Sequence, residues 1–392
     1  MSYKRNIYLF LIFDFLTTLS PLTFIYALFL GTRHMSLVQI GLIVSVYQIS
    51  KLIFEIPSGY YSDRFGRKKC GIIGQITFIF FLIFTVITHS YILFLFSACV
   101  RGISYAFLSG TADCLFSESI LKECPDEMDR LMGIDKVLFY ASYALSSIIG
   151  GFLAKYSYEA VFYFNIVIQI VSLVCMFLFK ETISTQTSRQ ERSKVSNSLK
   201  AMFKDKKVVY LLLLPALLSI CFLPYEDYYS SLVKGYGVDE SLIGIMTSCV
   251  MISSVLFGMI AFKVNKKWGY DFSVKKLPVI ILILFLMMSI VQDKIFVAWI
   301  IYILSSGFFS ISNISYNSCL QKNIESTSRG TMLSLRSLLM AVIGMIISPV
   351  VGYGAETIGF SMTYILCAIV GLILLIASLF FFTKNTSFDE FE

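Results

Sequence analysis

Gly59-Tyr60-Tyr61-Ser62-Asp63-Arg64-Phe65-Gly66-Arg67-Lys68-Lys69 stands between two long apolar runs of this chain. Charged side chains so close together cannot lie in hydrocarbon, where no water solvates them. The chain must therefore leave a bilayer and re-enter it within a few residues, joining two spanning helices. Composition agrees. With 57% hydrophobic and 15% charged residues and a mean hydropathy of +0.78, the chain has too little charge to cover a soluble protein of this length. Apolar runs of about 20 residues recur, the length that about 30 Å of hydrocarbon requires. The apolar run after Met1-Ser2-Tyr3-Lys4-Arg5-Asn6 is long, holds Asp14 and lacks a small-residue cleavage site, so it is an uncleaved first span rather than a signal peptide.

Apolar windows give twelve candidate spans: 6–31, 36–62, 70–88, 91–120, 132–156 and 158–179, then 208–233, 241–264, 277–292, 296–320, 331–354 and 360–382. Turns after even-numbered spans carry Arg64, Arg67, Lys68, Lys69, Lys122, Arg130, Lys263, Lys266, Lys267, Lys275, Lys276, Lys322 and Arg329. Turns after odd-numbered spans carry little more than Arg33, Lys155, Lys234 and Lys294. The positive-inside rule places both termini in the cytoplasm. A polar, basic stretch over 181–207 divides the spans six and six, as a cytoplasmic linker between bundles 1–180 and 208–392 would. The net charge of +7 follows from this topology, so nucleic acid is not an expected partner. Nine scattered Cys and two His give no metal-ligand pattern and no His-based catalysis. No nucleotide-binding Gly-x-x-x-x-Gly-Lys-Ser/Thr loop and no nucleophile–base–acid set is present, which argues against direct ATP drive and against an enzyme.

The two halves echo each other. Ser146-Ser147-Ile148-Ile149-Gly150-Gly151 ends span 5, and Ser348-Pro349-Val350-Val351-Gly352-Tyr353 ends span 11. Asn265-Lys266-Lys267-Trp268-Gly269 is a worn copy of Asp63-Arg64-Phe65-Gly66. Their common order supports two repeated halves.

The spacing Gly-x-x-x-Asp-Arg-x-Gly-Arg-Lys resembles the signature loop between helices 2 and 3 of the major facilitator superfamily, and the chain as a whole resembles its twelve-helix drug/proton antiporters. The resemblance implies an all-α membrane protein of two pseudo-symmetric six-helix bundles around a central cavity. It also implies a gating role for Gly59, Asp63, Arg64, Gly66, Arg67 and Glu118. Gly59 would let span 2 approach a neighbour closely, and Gly66 would permit the sharp reversal. Asp63 would face the amino end of span 11, where the helix dipole favours an anion. Arg67 would link Asp63 to Glu118 at the cytoplasmic end of span 4.

Arg101 occupies the place of the family's second motif, an intramembrane arginine that assists proton transfer, although Ser104-Tyr105 replaces the usual Gln-Gly. A buried guanidinium needs a partner. Asp14 is the leading candidate, with Lys51 and Glu55 at comparable depth, and these four form the expected proton-coupling set. Gly133, Ser146, Ser147, Gly150 and Gly151 resemble the antiporter motif of span 5, with Ser in place of several glycines and no proline. Small residues there still allow tight packing and a hinge. Asp113, toward the inner end of span 4, is a candidate substrate-binding residue. So is Tyr225-Glu226-Asp227-Tyr228-Tyr229 in span 7, where acids among aromatics suit a cation, although an interfacial tyrosine belt would read the same way. Asp135, Lys136 and Arg336 lie near the inner ends of spans 5 and 11; snorkelling to the cytoplasmic interface is the plain explanation for these charges and for Asp113, and the preferred one for Lys136.

The expected function is secondary active transport of a small amphipathic molecule across the cell membrane. It would run by alternating access in a functional monomer, as a proton-coupled exporter with no cofactor other than the proton gradient. Import of a sugar, peptide or other metabolite by symport or uniport is the alternative. A non-transporting receptor is disfavoured because no sizeable soluble domain exists to signal.

Overall fold

A segment crossing hydrocarbon must satisfy its own backbone hydrogen bonds, and an α-helix does so within the segment. The computed structural model describes residues 3–109, 111–181, 205–323, 329–383 and 387–389, and among them all regular structure is helical. The helices are α1 (Lys4–Thr18), α2 (Leu22–Thr32), α3 (Leu37–Phe65), α4 (Arg67–Ile87), α5 (Tyr91–Leu108), α6 (Thr111–Glu123), α7 (Met128–Tyr156) and α8 (Tyr158–Leu178). They continue with α9 (Lys206–Gly235), α10 (Glu240–Asp271), α11 (Leu277–Ile290), α12 (Ile295–Lys322), α13 (Arg329–Thr357) and α14 (Gly359–Thr383). Polar ends extend several helices beyond their apolar windows, because a helix outlasts the hydrocarbon that it crosses. α3 starts with a capping box: Ser36 Oγ accepts from Gln39 N at 3.3 Å, and Gln39 Oε1 accepts from Ser36 N at 3.0 Å.

Two expected spans are broken. The first divides into α1 and α2 at Leu19 (ψ 49°) and Pro21. Proline lacks an N–H and clashes with the preceding turn, which favours a break at this point, although α3, α9 and α13 run on through Pro57, Pro215, Pro224 and Pro349. The fourth divides into α5 and α6 at Ser109, whose ψ of 125° leaves the helical region. The Ser109-Gly110 pair is of the kind at which helices kink. In the other half, α10 bends at Gly269 and runs through a π-turn (Phe272–Lys276) into α11. Among the described residues ten stretches are long and apolar enough to cross a membrane. The expected twelve are recovered because α1 and α2 together make one crossing, and Glu240–Ile290 contains two.

The chain divides into two compact units: Met1–Gln186 with Gly237–Ser248, and Thr187–Tyr236 with Cys249–Glu392. The boundary differs from the expected bundles in that the first turns of α10 pack with the first unit. Residues 182–204, most of the expected linker, lie outside the described residues. The first unit's core includes Phe10 stacked on Phe116 at 4.1 Å, with Ile7, Leu115 and Met176 buried around them. A polar seam crosses it: Gln75 Nε2 donates to Gln169 Oε1 at 2.5 Å, Gln169 Nε2 to Asn165 Oδ1 at 3.2 Å, and Asn165 Nδ2 to Ser20 Oγ at 2.8 Å. Such bonds between α4, α8 and the α1–α2 break fix helix register where apolar contacts alone would let helices slide. The second unit is built around Tyr225, packed on Tyr302, Tyr364 and Phe285.

Candidate functional site

Both helix breaks border one cavity of about 320 Å³ in the first unit. Thr17, Thr18 and Ser20 line it from the first break, and Leu108, Ser109, Ala112 and Asp113 from the second. Broken helices leave backbone groups without intrahelical partners, so this part of the interior can solvate polar groups that an unbroken helix could not. Asp113 lies in the first turn of α6, where the helix dipole favours its negative charge. Asp14, Tyr47, Arg101, Tyr105 and Gln169 complete the polar lining.

Arg101 and Asp14 thus share a cavity, but the expected ion pair between them is absent. Among the described residues no carboxylate lies within ion-pair distance of Arg101. Its guanidinium instead sits 4.6 Å from the Tyr47 ring, 5.1 Å from Tyr26 and 5.6 Å from Phe81. Three aromatic faces stabilise a desolvated cation without neutralising it, which leaves its charge available to whatever enters. Lys51 Nζ lies 4.2 Å over the Tyr105 ring, and neither it nor Glu55 is among the cavity's lining residues.

At the reversal between α3 and α4 the structure brings Arg67 and Glu118 together, Nη2 to Oε1 at 2.6 Å. Arg64 instead lies along its own helix end, with Nη1 3.2 Å from the Tyr60 hydroxyl. Gly59 meets open space where a Cβ would stand, so its expected close approach to a neighbouring helix is not found. The Asp63 side chain lies outside the described residues, and so does its expected contact.

Sequence reasoning missed Glu181, assigned to the linker. Its carboxylate accepts from Arg67 N at 2.9 Å and Lys68 N at 3.1 Å, capping the free N–H groups that open α4. The second unit repeats the device: Asp389 Oδ1 accepts from Asp271 N at 3.0 Å, just beyond the bend at Gly269. A signal was present, since each is the first acid after the last span of its half.

The small residues of α7 divide by what they touch. Gly133 meets open space. Gly150 packs on the α1–α2 break, where a Cβ would come 3.2 Å from the Phe24 ring. Gly151 packs on the start of α10, where a Cβ would stand 2.6 Å from Glu240 O and 3.1 Å from Gly244 Cα. Ser147 Oγ donates to its own helix at Tyr143 O, 3.0 Å away, and Ser146 Oγ is buried with no partner among the described residues. Ser248 Oγ donates across the crossing to Ala144 O at 2.7 Å. At its end Tyr158 donates to Glu240 Oε1 at 2.6 Å, and Lys155 Nζ stands 3.4 Å from Asp239 Oδ2. Hydrogen bonds from Ser241 hold the Asp239 carboxyl below its ordinary range. Gly244→Leu is expected to force this crossing apart at a cost of about 1–3 kcal/mol, read as a lower melting temperature of the purified protein. An unchanged melting temperature would show the crossing to be loose.

In the second unit Tyr225, Tyr228 and Tyr229 are 2%, 0% and 5% exposed. Their rings are packing residues rather than an open aromatic surface. Tyr228 donates to Ser348 O at 2.9 Å, Asp227 Oδ2 accepts from the Ser348 hydroxyl at 2.6 Å, and Glu226 is the exposed member of the run.

Comparison with known proteins agrees with this architecture. Residues 7–349 match the sequence profile of the Major Facilitator Superfamily, and residues 230–390 match it again. Multidrug resistance protein 2 of Bacillus subtilis (strain 168) is 29% identical over 252 residues, 61% of this chain and 62% of that one. The uncharacterized MFS-type transporter YxaM of the same organism is 24% identical over 257 residues, 62% of each chain. The chain spans about six-tenths of the length of these curated relatives. Among solved structures, a variant of the nucleoside transporter NupG superposes with a TM-score of 0.81 at 13% identity, covering 96% of this chain and 99% of that one. A D-xylose-proton symporter gives 0.72 at 16%, covering 98% of each. Identities this low establish likeness of fold alone.

Proposed function

The chain belongs to the major facilitator superfamily, and from that premise we propose that it exports a small amphipathic molecule across the cell membrane in exchange for protons. It is a multi-pass membrane transporter and not an enzyme. The observation that carries the proposal is the cavity between the two helix breaks. It combines two carboxylates, Asp14 and Asp113, with an Arg101 that has no carboxylate partner among the described residues, and with the aromatic rings of Tyr47 and Tyr105. Acids and rings together suit the cationic end of an amphipathic compound. A carboxylate beside them can exchange that cation for a proton, and the exchange biases the transporter between its two access states. Likeness to multidrug resistance protein 2 supports export rather than import. Cytoplasmic termini put Arg67–Glu118 at the inner end, where the pair serves as a latch that parts when the cavity opens inward.

The test is flux in energised inverted membrane vesicles, with ethidium as the probe. The vesicles are expected to accumulate ethidium and to lose it when a protonophore collapses the gradient. Accumulation no greater than in vesicles without the protein, or accumulation that survives the protonophore, would defeat the proposal.

A further inference from the structure

We propose that Ser387-Phe388-Asp389 is a detachable strap: it docks on the second unit as a ligand docks on its receptor, and its release uncaps the turn between α10 and α11. The segment follows α14 and has no helix or strand of its own. One side chain anchors it. Phe388 is 0% exposed, with its ring centroid 6.1 Å from that of Tyr210, near the start of α9, and 5.3 Å from Lys275 Nζ. Asp271 holds the backbone around that ring in both directions. Its Oδ1 accepts from Phe388 N at 2.8 Å, and its own N–H donates to Asp389 Oδ1 at 3.0 Å. Asp271 N is among the first N–H groups after the bend at Gly269, so Asp389 satisfies a donor that the bend leaves without an intrahelical acceptor.

The receptor is built without the strap. Tyr210 donates to Val274 O at 2.8 Å, and Lys275 Nζ stands 2.8 Å from Asp271 Oδ2. The walls of the hollow are therefore pinned by bonds of their own. What the strap adds is one buried ring and the two hydrogen bonds to Asp271. Burial of one Phe ring shifts an equilibrium roughly ten- to hundredfold, enough to keep the segment docked and little enough to let it go. Asp389 itself is exposed, so water replaces its carboxylate at Asp271 N once the ring leaves. The first unit makes the contrast. There Glu181 follows Lys180, whose N–H and C=O both bond the buried Asn6 side chain at 2.9 Å, and Phe179 packs edge-on against Phe13. That acid is tied in by a buried amide, whereas Asp389 depends on the Phe388 ring. One capping device is thus fixed in the first unit and releasable in the second.

Hydrogen exchange of the full-length protein in detergent micelles, where both faces are open, reads the strap directly. Phe388→Ala is expected to speed exchange of the amides over 270–276 about tenfold and to leave the protection of α12 and α14 unchanged. A synthetic peptide of residues 387–392, Ser387-Phe388-Asp389-Glu390-Phe391-Glu392, added in millimolar excess, should return those amides to wild-type rates. The same peptide carrying Phe388→Ala should not. Asp389→Ala, a change at an exposed residue, carries the test if Phe388→Ala does not fold, and should speed exchange at the Asp271 amide. Unchanged exchange, loosening that spreads through α12 and α14, or a peptide that restores nothing would each overturn the strap. Its control of transport rests on the export reading above: Phe388→Ala should lower the initial rate of ethidium accumulation in inverted vesicles severalfold, and the peptide should restore it. Unaltered accumulation beside faster exchange would refute that control. Absent accumulation in the wild type would refute export, and the exchange result would still decide the strap.

Discussion

Asp14→Asn is expected to reduce gradient-driven ethidium accumulation to the level of vesicles without the protein, while the amount of folded protein stays near wild type. The two halves of this outcome have separate physical causes. Asparagine has nearly the shape of aspartate but no proton to give or take, so coupling has no carrier on α1. Folding is spared because Asp14 Oδ2 accepts no hydrogen bond among the described residues, so the near-isosteric change breaks no bond to that oxygen. Energy-independent exchange of ethidium down its own gradient should persist in part, since Asp113 and the rings of Tyr47 and Tyr105 remain. Undiminished coupled transport would remove Asp14 from the mechanism. Loss of exchange and of coupling together would make Asp14 a binding residue alone.

Asp14 also marks where sequence reading stops. A lone acid in an apolar window declares itself, because its cost in hydrocarbon demands a use. Arg101 declares itself in the same way, and the two do meet around one cavity. Their relation to each other is not written in the sequence, since it depends on which helix face turns inward. Arg101 found three aromatic rings in place of the carboxylate. The breaks after Thr18 and Leu108 were hidden for a different reason: an apolar window averages about twenty residues and is blind to one non-helical ψ. Their consequence is functional, because both breaks supply the polar lining of the cavity. The tyrosines of α9 erred the other way. Aromatic composition suggested a binding surface, but burial of Tyr225 against Tyr302 and Tyr364 makes them the core of their unit.

The reversal at 59–69 was legible in outline and not in mechanism. Charge density fixes that the chain turns, and the pairing of Arg67 with Glu118 is formed. What holds the turn is more than a hundred residues away in sequence: Glu181 caps α4, and Asp389 plays the same part beyond Gly269. Repetition of one device at equivalent points of the two halves argues that each turn is clamped by the end of its own unit. A clamp of this kind ties the position of the last helix to the angle of the loop, so movement of one is felt by the other.

Gly66→Ala is expected to be the most damaging single methyl in the first unit. Gly66 has φ 102° and ψ 148°, a region that L side chains almost never occupy, at a cost of about 1–3 kcal/mol. The new Cβ would also stand 2.5 Å from Glu181 Oε2. Glu181 is flexible and can retreat, but retreat strips the cap from the Arg67 and Lys68 N–H groups, worth about 0.5–2 kcal/mol more. The two costs separate in a double-mutant cycle. Glu181→Ala removes the clash and the cap but leaves the backbone strain, so Gly66→Ala should cost less in that background than in the wild type, and still cost something. The readouts are melting temperature and ethidium flux, with turnover falling more than apparent affinity because the change acts on the turn and not on the cavity. Gly269, at φ 77° and with a Cβ position 2.5 Å from Asp389 Oδ1, supplies an internal control. If the two halves are clamped alike, Gly269→Ala with Asp389→Ala must reproduce the cycle. Additive costs in both halves would mean that the acids cap their helices without governing the turns.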